Sequence, residues 1–409
     1  MKRRDLIATT AAVAATGLAH PFNARSAPAI SDNVVKLGVL TDLSGMYSDG
    51  AGPGSVLCAQ LAAEEFGNTV AGNPVQIIQG DHLNRPDTGG DIARRWFDIE
   101  QVDAILDVPV SSIALQVQQV AHERNRVFLN SAAGATVLTG KACSPTAAQW
   151  TYDTYALAHA AGSALLQRGG DTWFFIVADY VFGASLLADG TDVVTRGGGK
   201  VLGSVKHPMG TSDFSSYLLQ AQSSGAKVIA LANSGDDTRA AIKQAAEFGI
   251  GAKSGQQIVG LNTAITDIHA LGLDVSQGLF VAEGFYWNRD DRTRALAKRF
   301  MDKMKRPPTM IQTGVYSAAR SYLKAIDTIG TDEAMAVMAQ LRAMDLDDAF
   351  ARNGKLRADG LMVHDMALMQ VKSPGQSKGE WDVYNVVGSI AGKDAFPPPN
   401  PDCSLVAKT

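Results

Sequence analysis

The sequence predicts an α/β protein of two doubly wound lobes with parallel-sheet cores. Three observations carry that expectation. Short apolar runs without strict polar alternation recur along the chain, as strands covered on both faces require. Helix-like segments separate them. The rhythm breaks near residues 140–170 and then restarts, giving two α/β units of similar size. A chain of 409 residues is also too long for one ordinary core and long enough for two.

The elements follow in order. "VVKLGVL" is a strand, and a Gly-rich turn leads into the helix "GSVLCAQLAAEEF". "PVQIIQGD" is a strand and "TGGDIARRWFDIE" leads into a helix. "VDAILDV", "ALQVQQVAHERN" and "RVFLNS" read as strand, helix, strand. The stretch "GKACSPTAAQWTYDTYALAHAAGSALLQRGG" interrupts the pattern. The second unit runs through the strands "TWFFIVAD", "GKVLGSVKHP", "AKVIALAN", "QQIVGLN" and "GLFVAEGFYW", with helices between them. Helices at "DDRTRALAKRFMDKM", "GVYSAARSYLKAIDTIG" and "EAMAVMAQLRAM" follow. Partial alternation in "HDMALMQVK" and "WDVYNVVGSI" predicts a closing antiparallel pair.

Composition narrows the function. Hydrophobic residues make up 46% and charged residues 19%, the balance of a globular chain. The net charge of −4, without a Lys/Arg stripe, argues against nucleic acid as the main partner. Residues 1–29 read as an export signal: Lys2, Arg3 and Arg4 precede a small-residue apolar run from Leu6 to Ala19. "RRDLI" resembles a twin-arginine signal, and a general secretory signal with a chance Arg pair is the alternative. Export permits disulfides. Cys58 lies on the apolar face of a helix, whereas Cys143 and Cys403 lie in polar, Pro-containing loops and are expected to pair.

Several chemistries lack their residues. Gly50, Gly52 and Gly54 give G-x-G-x-G, without dinucleotide spacing, and Pro53 removes a potential phosphate-binding amide. The sequence carries no G-x-S-x-G elbow, no H-E-x-x-H and no G-x-x-x-x-G-K-[ST]. Asp81 and His82 read as a surface pair. No enzyme constellation and no cofactor are expected.

Strand ends carry the remaining signal, since open α/β sheets bind ligands beyond the carboxyl ends of their strands. Ser111 and Ser112 follow one strand, and Ser131, Ala132, Ala133 and Gly134 follow the next. Hydroxyls together with free amides at helix starts make an anion site without a cation, so these residues are candidates to hold a carboxylate. Helix capping is the plainer role for each serine. Tyr47, Tyr152, Tyr180, Phe182, Phe285, Tyr286 and Trp287 fall in loops or at element ends, as a cleft stacking on a planar or apolar solute would require.

The export signal, "KLGVLTDLSGMYSDGAGPG", the Ser-Ser turn, "NSAAGATVLTG", "WTYDTYALA", the tandem halves and the late cysteine resemble the solute-binding proteins of ABC importers, of the branched-chain amino acid binding type. The resemblance covers the chain from Val34 to the C-terminus. It implies the type I periplasmic binding protein fold, two lobes joined by a multi-strand hinge. The expected N-terminal lobe is 34–153 plus 284–362, and the C-terminal lobe 154–283 plus 363–409. It implies a monomer in the periplasm that delivers its solute to membrane permease subunits. It places the ligand carboxylate at Ser111 or Ser112 and the loop from Ser131 to Gly134, with Tyr47 and either Tyr180 or Phe182 against the ligand. Two departures stand out. The loop after "RVFLN" lacks the family's threonine, which is missing or displaced to Thr136. Where amino-acid binders carry a Glu for the ammonium group, the chain reads Asn262 or Thr263, and "NSGDD", beginning at Asn233, lacks a second-lobe tyrosine. A buried ammonium needs a carboxylate, and the candidates Asp236 and Asp237 fall late, at an expected helix start. The expected ligand is therefore an aromatic or other small organic acid, with a branched-chain amino acid next and a ligand-sensing receptor lobe as the functional alternative.

Overall fold

The computed structural model describes residues 30–251 and 255–407, so the export signal expected over 1–29 lies outside the described residues. The first sheet has six strands in the order Thr69–Val70, Asn73–Asp81, Val35–Thr41, Ala104–Asp107, Val127–Asn130 and Ala147–Gln149. Every pairing is parallel except the short antiparallel contact of the first two. The second sheet is parallel throughout, in the order Gln257–Gly260, Val228–Ala232, Thr172–Ala178 and Lys200–His207. Its two inner strands are fully buried runs, "VIALA" and "WFFIVA", which accounts for their unbroken apolar character.

Two differences from the expected pattern concern strands. Ala147–Gln149 lies within the interrupted stretch and adds a sixth strand beside Val127–Asn130. Three small or polar residues leave no periodicity to read. Phe280–Glu283, expected to continue the second unit, pairs antiparallel with Met366–Val371, which pairs in turn with Tyr384–Ile390. The late antiparallel pair is present as expected, with Met366 opposite Ile390 and Val371 opposite Tyr384.

Helices pack by the apolar stripes that the sequence shows. In Ser111–Glu123 the residues Ile113, Ala114, Val117, Val120 and Ala121 are buried, the spacing of one helix face. The helix Met310–Ile329 lies against Gly52–Glu64 of the first unit. There Glu65 accepts hydrogen bonds from the Tyr316 hydroxyl at 2.6 Å and Arg320 Nε at 3.0 Å. Three connections, around 150–153, 284–290 and 363–365, run between the elements packed with the first sheet and those packed with the second. His364 Nε2 sits 2.7 Å from the Thr151 carbonyl and joins two of them. Beyond Phe396 the chain turns back: Arg357 donates to the Pro397 carbonyl, and the Asn400 amide donates to Asp359 Oδ2 at 3.0 Å. The expected Cys143–Cys403 disulfide is present, and Cys58 is a buried free thiol.

Candidate functional site

A cleft of about 580 Å³, counting its open mouth, lies between the ends of the two parallel sheets. The loop that follows the strand Val35–Thr41 forms one wall. Its shape comes from Asp42, a fully buried carboxylate. Asp42 Oδ1 accepts from the Gly45 amide at 2.6 Å, and Oδ2 accepts from the Tyr47 amide at 2.9 Å and Asn84 Nδ2 at 2.7 Å. Asn84 is held in turn by His82, whose Nδ1 accepts the Asn84 amide at 3.0 Å. His82 is therefore not half of a surface pair with Asp81. It is fully buried, and burial lowers its pKa to about 4, which keeps the ring neutral and able to accept.

This support aims Tyr47 across the cleft. Its hydroxyl lies 3.1 Å from that of Tyr180, which immediately precedes the helix Val181–Arg196. Burial, then the neighbouring Tyr180 phenol, pushes the Tyr47 pKa well up, and burial raises that of Tyr180, so the pair meets as neutral phenols. Tyr152 donates to the Ala132 carbonyl at 2.6 Å and receives Asn262 Nδ2 at 3.5 Å. Asn262 also donates to Ser234 Oγ at 3.2 Å. Phe182 completes a set of four aromatic rings along the cleft, with Met46, Met310 and Ile311 as aliphatic walls.

The structure thus brings Tyr47, Ala132, Tyr152, Tyr180, Phe182 and Asn262 into one cavity wall. The other residues singled out in the sequence lie behind it or away from it. The amides of Ala132 and Ala133 are taken by Asn130 Oδ1, at 3.2 and 2.8 Å. Ser111 is buried and its Oγ accepts the Ala135 amide at 3.4 Å. Ser112 is partly exposed in the first turn of its helix, and Ser131 is buried with no hydrogen-bond partner for its hydroxyl. Gly134 lies beneath the rings: a Cβ there would stand 3.0 Å from both Phe182 and Tyr152. Asn233 is buried, with Oδ1 accepting from Thr238 at 2.7 Å and Nδ2 facing His207 at 3.1 Å. Phe285 packs in the hydrophobic core.

Sequence reasoning reached Asp236 but missed Arg239 and Asp267 at the charged end of the cleft. Arg239, in the first turn of the helix Asp236–Glu247, lines the cavity together with Asp267. Arg239 Nη1 donates to Asp267 Oδ1 at 2.6 Å, and Nη2 pairs with Asp236. Asp49, from the opposite wall, is 3.7 Å from the same nitrogen. Asp267 is nearly buried and also accepts the Ala264 amide at 2.8 Å. The available signal was positional: a helix that starts at a cleft carries the residues of its first turn into that cleft.

Comparison with known proteins fits this architecture. The family model described as periplasmic binding protein matches residues 34–379. The chain belongs to the periplasmic binding protein family. A periplasmic binding protein from Burkholderia mallei, solved by crystallography, is 44% identical, with a TM-score of 0.88 over 91% of this chain and 99% of that one. A branched chain amino acid ABC transporter periplasmic ligand-binding protein from Burkholderia xenovorans is 42% identical, with a TM-score of 0.81 over 89% and 97%. A Leu/Ile/Val-binding protein homolog from Brucella melitensis is 27% identical over 267 residues, 64% of this chain and 66% of that relative's own length. A solute-binding protein from R. palustris in complex with benzoate shares the fold at 18% identity, with a TM-score of 0.80 over 91% of this chain and 99% of that one. The type I fold that the resemblance implied is the fold of the chain. Members of this family are the solute-binding proteins of ABC transporters, not enzymes.

Proposed function

We propose that the protein is the periplasmic solute-binding component of an ABC importer, and that its solute is a small carboxylate, aromatic in preference to a branched-chain amino acid. The supporting observation is the interlobe cleft itself. Four aromatic rings face one cavity, and the one carboxylate among its lining residues, Asp267, is already paired with Arg239. An α-ammonium group would need a carboxylate free to receive it. A planar apolar ring finds its stacking surfaces in place. Two family relatives favour the same solute range: one is described as a branched-chain amino acid transporter component, and one carries benzoate.

The lobes are proposed as 34–153 plus 284–362 and 154–283 plus 363–409, with the residues after Phe396 strapped back to the first. They close on the solute by hinge motion. The closed form then docks, as a monomer, on the permease subunits. Calorimetry of the mature chain tests the solute class. Benzoate is expected to bind and leucine to bind weakly or not at all. Tight leucine binding without benzoate binding would overturn the aromatic-acid assignment. Indifference to both acid classes, together with unimpaired uptake of them in a deletion strain, would overturn the transport role.

A further inference from the structure

We infer that Arg239 is the anchor for the ligand carboxylate, and that binding exchanges Asp49 and Asp236 for that carboxylate; the inference rests on the small-carboxylate reading above. Among the residues that line the cleft, Arg239 is the one cation. The uncharged candidates are set back from it: Asn130 takes the Ala132 and Ala133 amides, and neither Ser111 nor Ser131 lines the cavity.

The partners of Arg239 differ in kind. Asp267 is 5% exposed, accepts the short Nη1 contact and caps the next helix through the Ala264 amide. It fixes and orients the guanidinium. Asp236 and Asp49 are 56% and 63% exposed, and Asp49 is 3.7 Å away on the facing wall. Exposed ion pairs contribute little and are screened. A solute carboxylate held away from water against the same nitrogen makes the stronger, charge-assisted contact. Three carboxylates surround one guanidinium, so displacing the two outer ones also relieves their mutual repulsion. The solute carboxylate thereby substitutes for Asp49 at the ion pair that, among the described residues, bridges the two walls. Arg239 stands in the first turn of the twelve-residue helix Asp236–Glu247, where the backbone N–H groups also favour an anion.

The test is calorimetry of the mature chain with benzoate and its neutral isostere benzamide. Wild type is expected to prefer benzoate. Arg239→Gln should weaken benzoate by about 30-fold or more and abolish the preference. Arg239→Lys should recover part of it, since the charge returns without the planar fork. Asp49→Asn should tighten benzoate several-fold by removing a competitor, and leave benzamide unchanged. A folded Arg239→Gln that keeps its benzoate affinity overturns the inference and leaves the carboxylate reading standing. A wild type indifferent to benzoate sinks both. Should Arg239→Gln fail to fold because Asp267 is left unpaired, Asp49→Asn decides alone: tighter binding supports the exchange, and unchanged or weaker binding overturns it.

Discussion

Asp107 ends the strand Ala104–Asp107 with a φ of 79°, and Val108 follows at 66°. Both lie in the left-handed region, which a β-branched residue such as valine rarely enters. The turn they make sends the chain into Pro109, which lines the cleft, and then into the helix from Ser111. Asp107 itself is fully buried, with the Thr41 and Ser55 hydroxyls as its polar neighbours. Burial raises its pKa to about 7. The folded chain therefore holds this proton more tightly than the unfolded chain, where a carboxyl titrates near 4. The stabilising effect of the proton is complete below about pH 4 and is lost as pH rises through about 7. Asp107→Asn keeps the shape, tolerates the left-handed backbone and cannot ionise. It should match wild type at pH 4.5 and exceed it at pH 8 by on the order of 1–4 kcal/mol in urea unfolding. Equal stabilities at both values would show that Asp107 is not the buried proton site. The sequence displayed the unusual density of serines around this turn, and it led to an anion site built of hydroxyls. The structure shows why residue type alone misled: Asn130, one residue before the predicted loop, absorbs the amides. Which donor faces a ligand depends on hydrogen bonds three residues away, and no periodicity records them.

At the scale of elements, the strands were legible because burial on both faces makes them apolar throughout, and the helices because one face repeats at helical spacing. What escaped was decided by partners distant in sequence. Phe280–Glu283 carries the composition of any second-unit strand, and its neighbour Met366–Val371 comes more than eighty residues later. The cleft aromatics were legible for a related reason: they sit at element ends, where open sheets place their sites. Arg239 escaped because a charged helix residue ordinarily faces water. One turn tests how the elements meet. Gly235 precedes the helix Asp236–Glu247 with φ 63° and ψ −134°, a conformation essentially confined to glycine. A Cβ there would lie 2.7 Å from the Met46 carbonyl and 3.0 Å from the Tyr47 ring, both on the facing wall. Gly235→Ala should therefore cost about 1–3 kcal/mol in stability. It should also prop the walls apart. Small-angle scattering should show a larger radius of gyration for this variant with benzoate than for wild type with benzoate. A variant as compact as wild type and equally tight in binding would show that the glycine serves the turn alone.

The whole molecule is a chain that builds the first sheet, then the second, and then an antiparallel sheet from Phe280–Glu283, Met366–Val371 and Tyr384–Ile390. The last strand, Tyr384–Ile390, belongs to the sheet of Phe280–Glu283, yet Cys403 is bonded to Cys143 in the loop that follows Val127–Asn130. The disulfide thus closes a covalent ring of 260 residues' separation that contains the entire second sheet. Its loop is also held from within: Gln118 Nε2 donates to the Leu138 carbonyl at 3.0 Å and the Ala142 carbonyl at 2.5 Å, so Cys143 has a prepared seat. Closing so long a loop removes much of the unfolded chain's freedom, whereas the folded chain has little to lose, because Arg357 and Asp359 already hold Pro397 and Asn400. The Cys143→Ser, Cys403→Ser double variant should consequently fold and lose about 2–5 kcal/mol in urea unfolding. Its affinity for benzoate should stay within a factor of two of wild type, since neither cysteine lines the cleft. The residues after Phe396 should become the first site of cleavage by carboxypeptidase, because one side of their attachment has gone. Unchanged stability would mean that the polar contacts of Arg357 and Asp359 hold the tail unaided. A large loss of binding would mean instead that the ring governs how far the lobes can open.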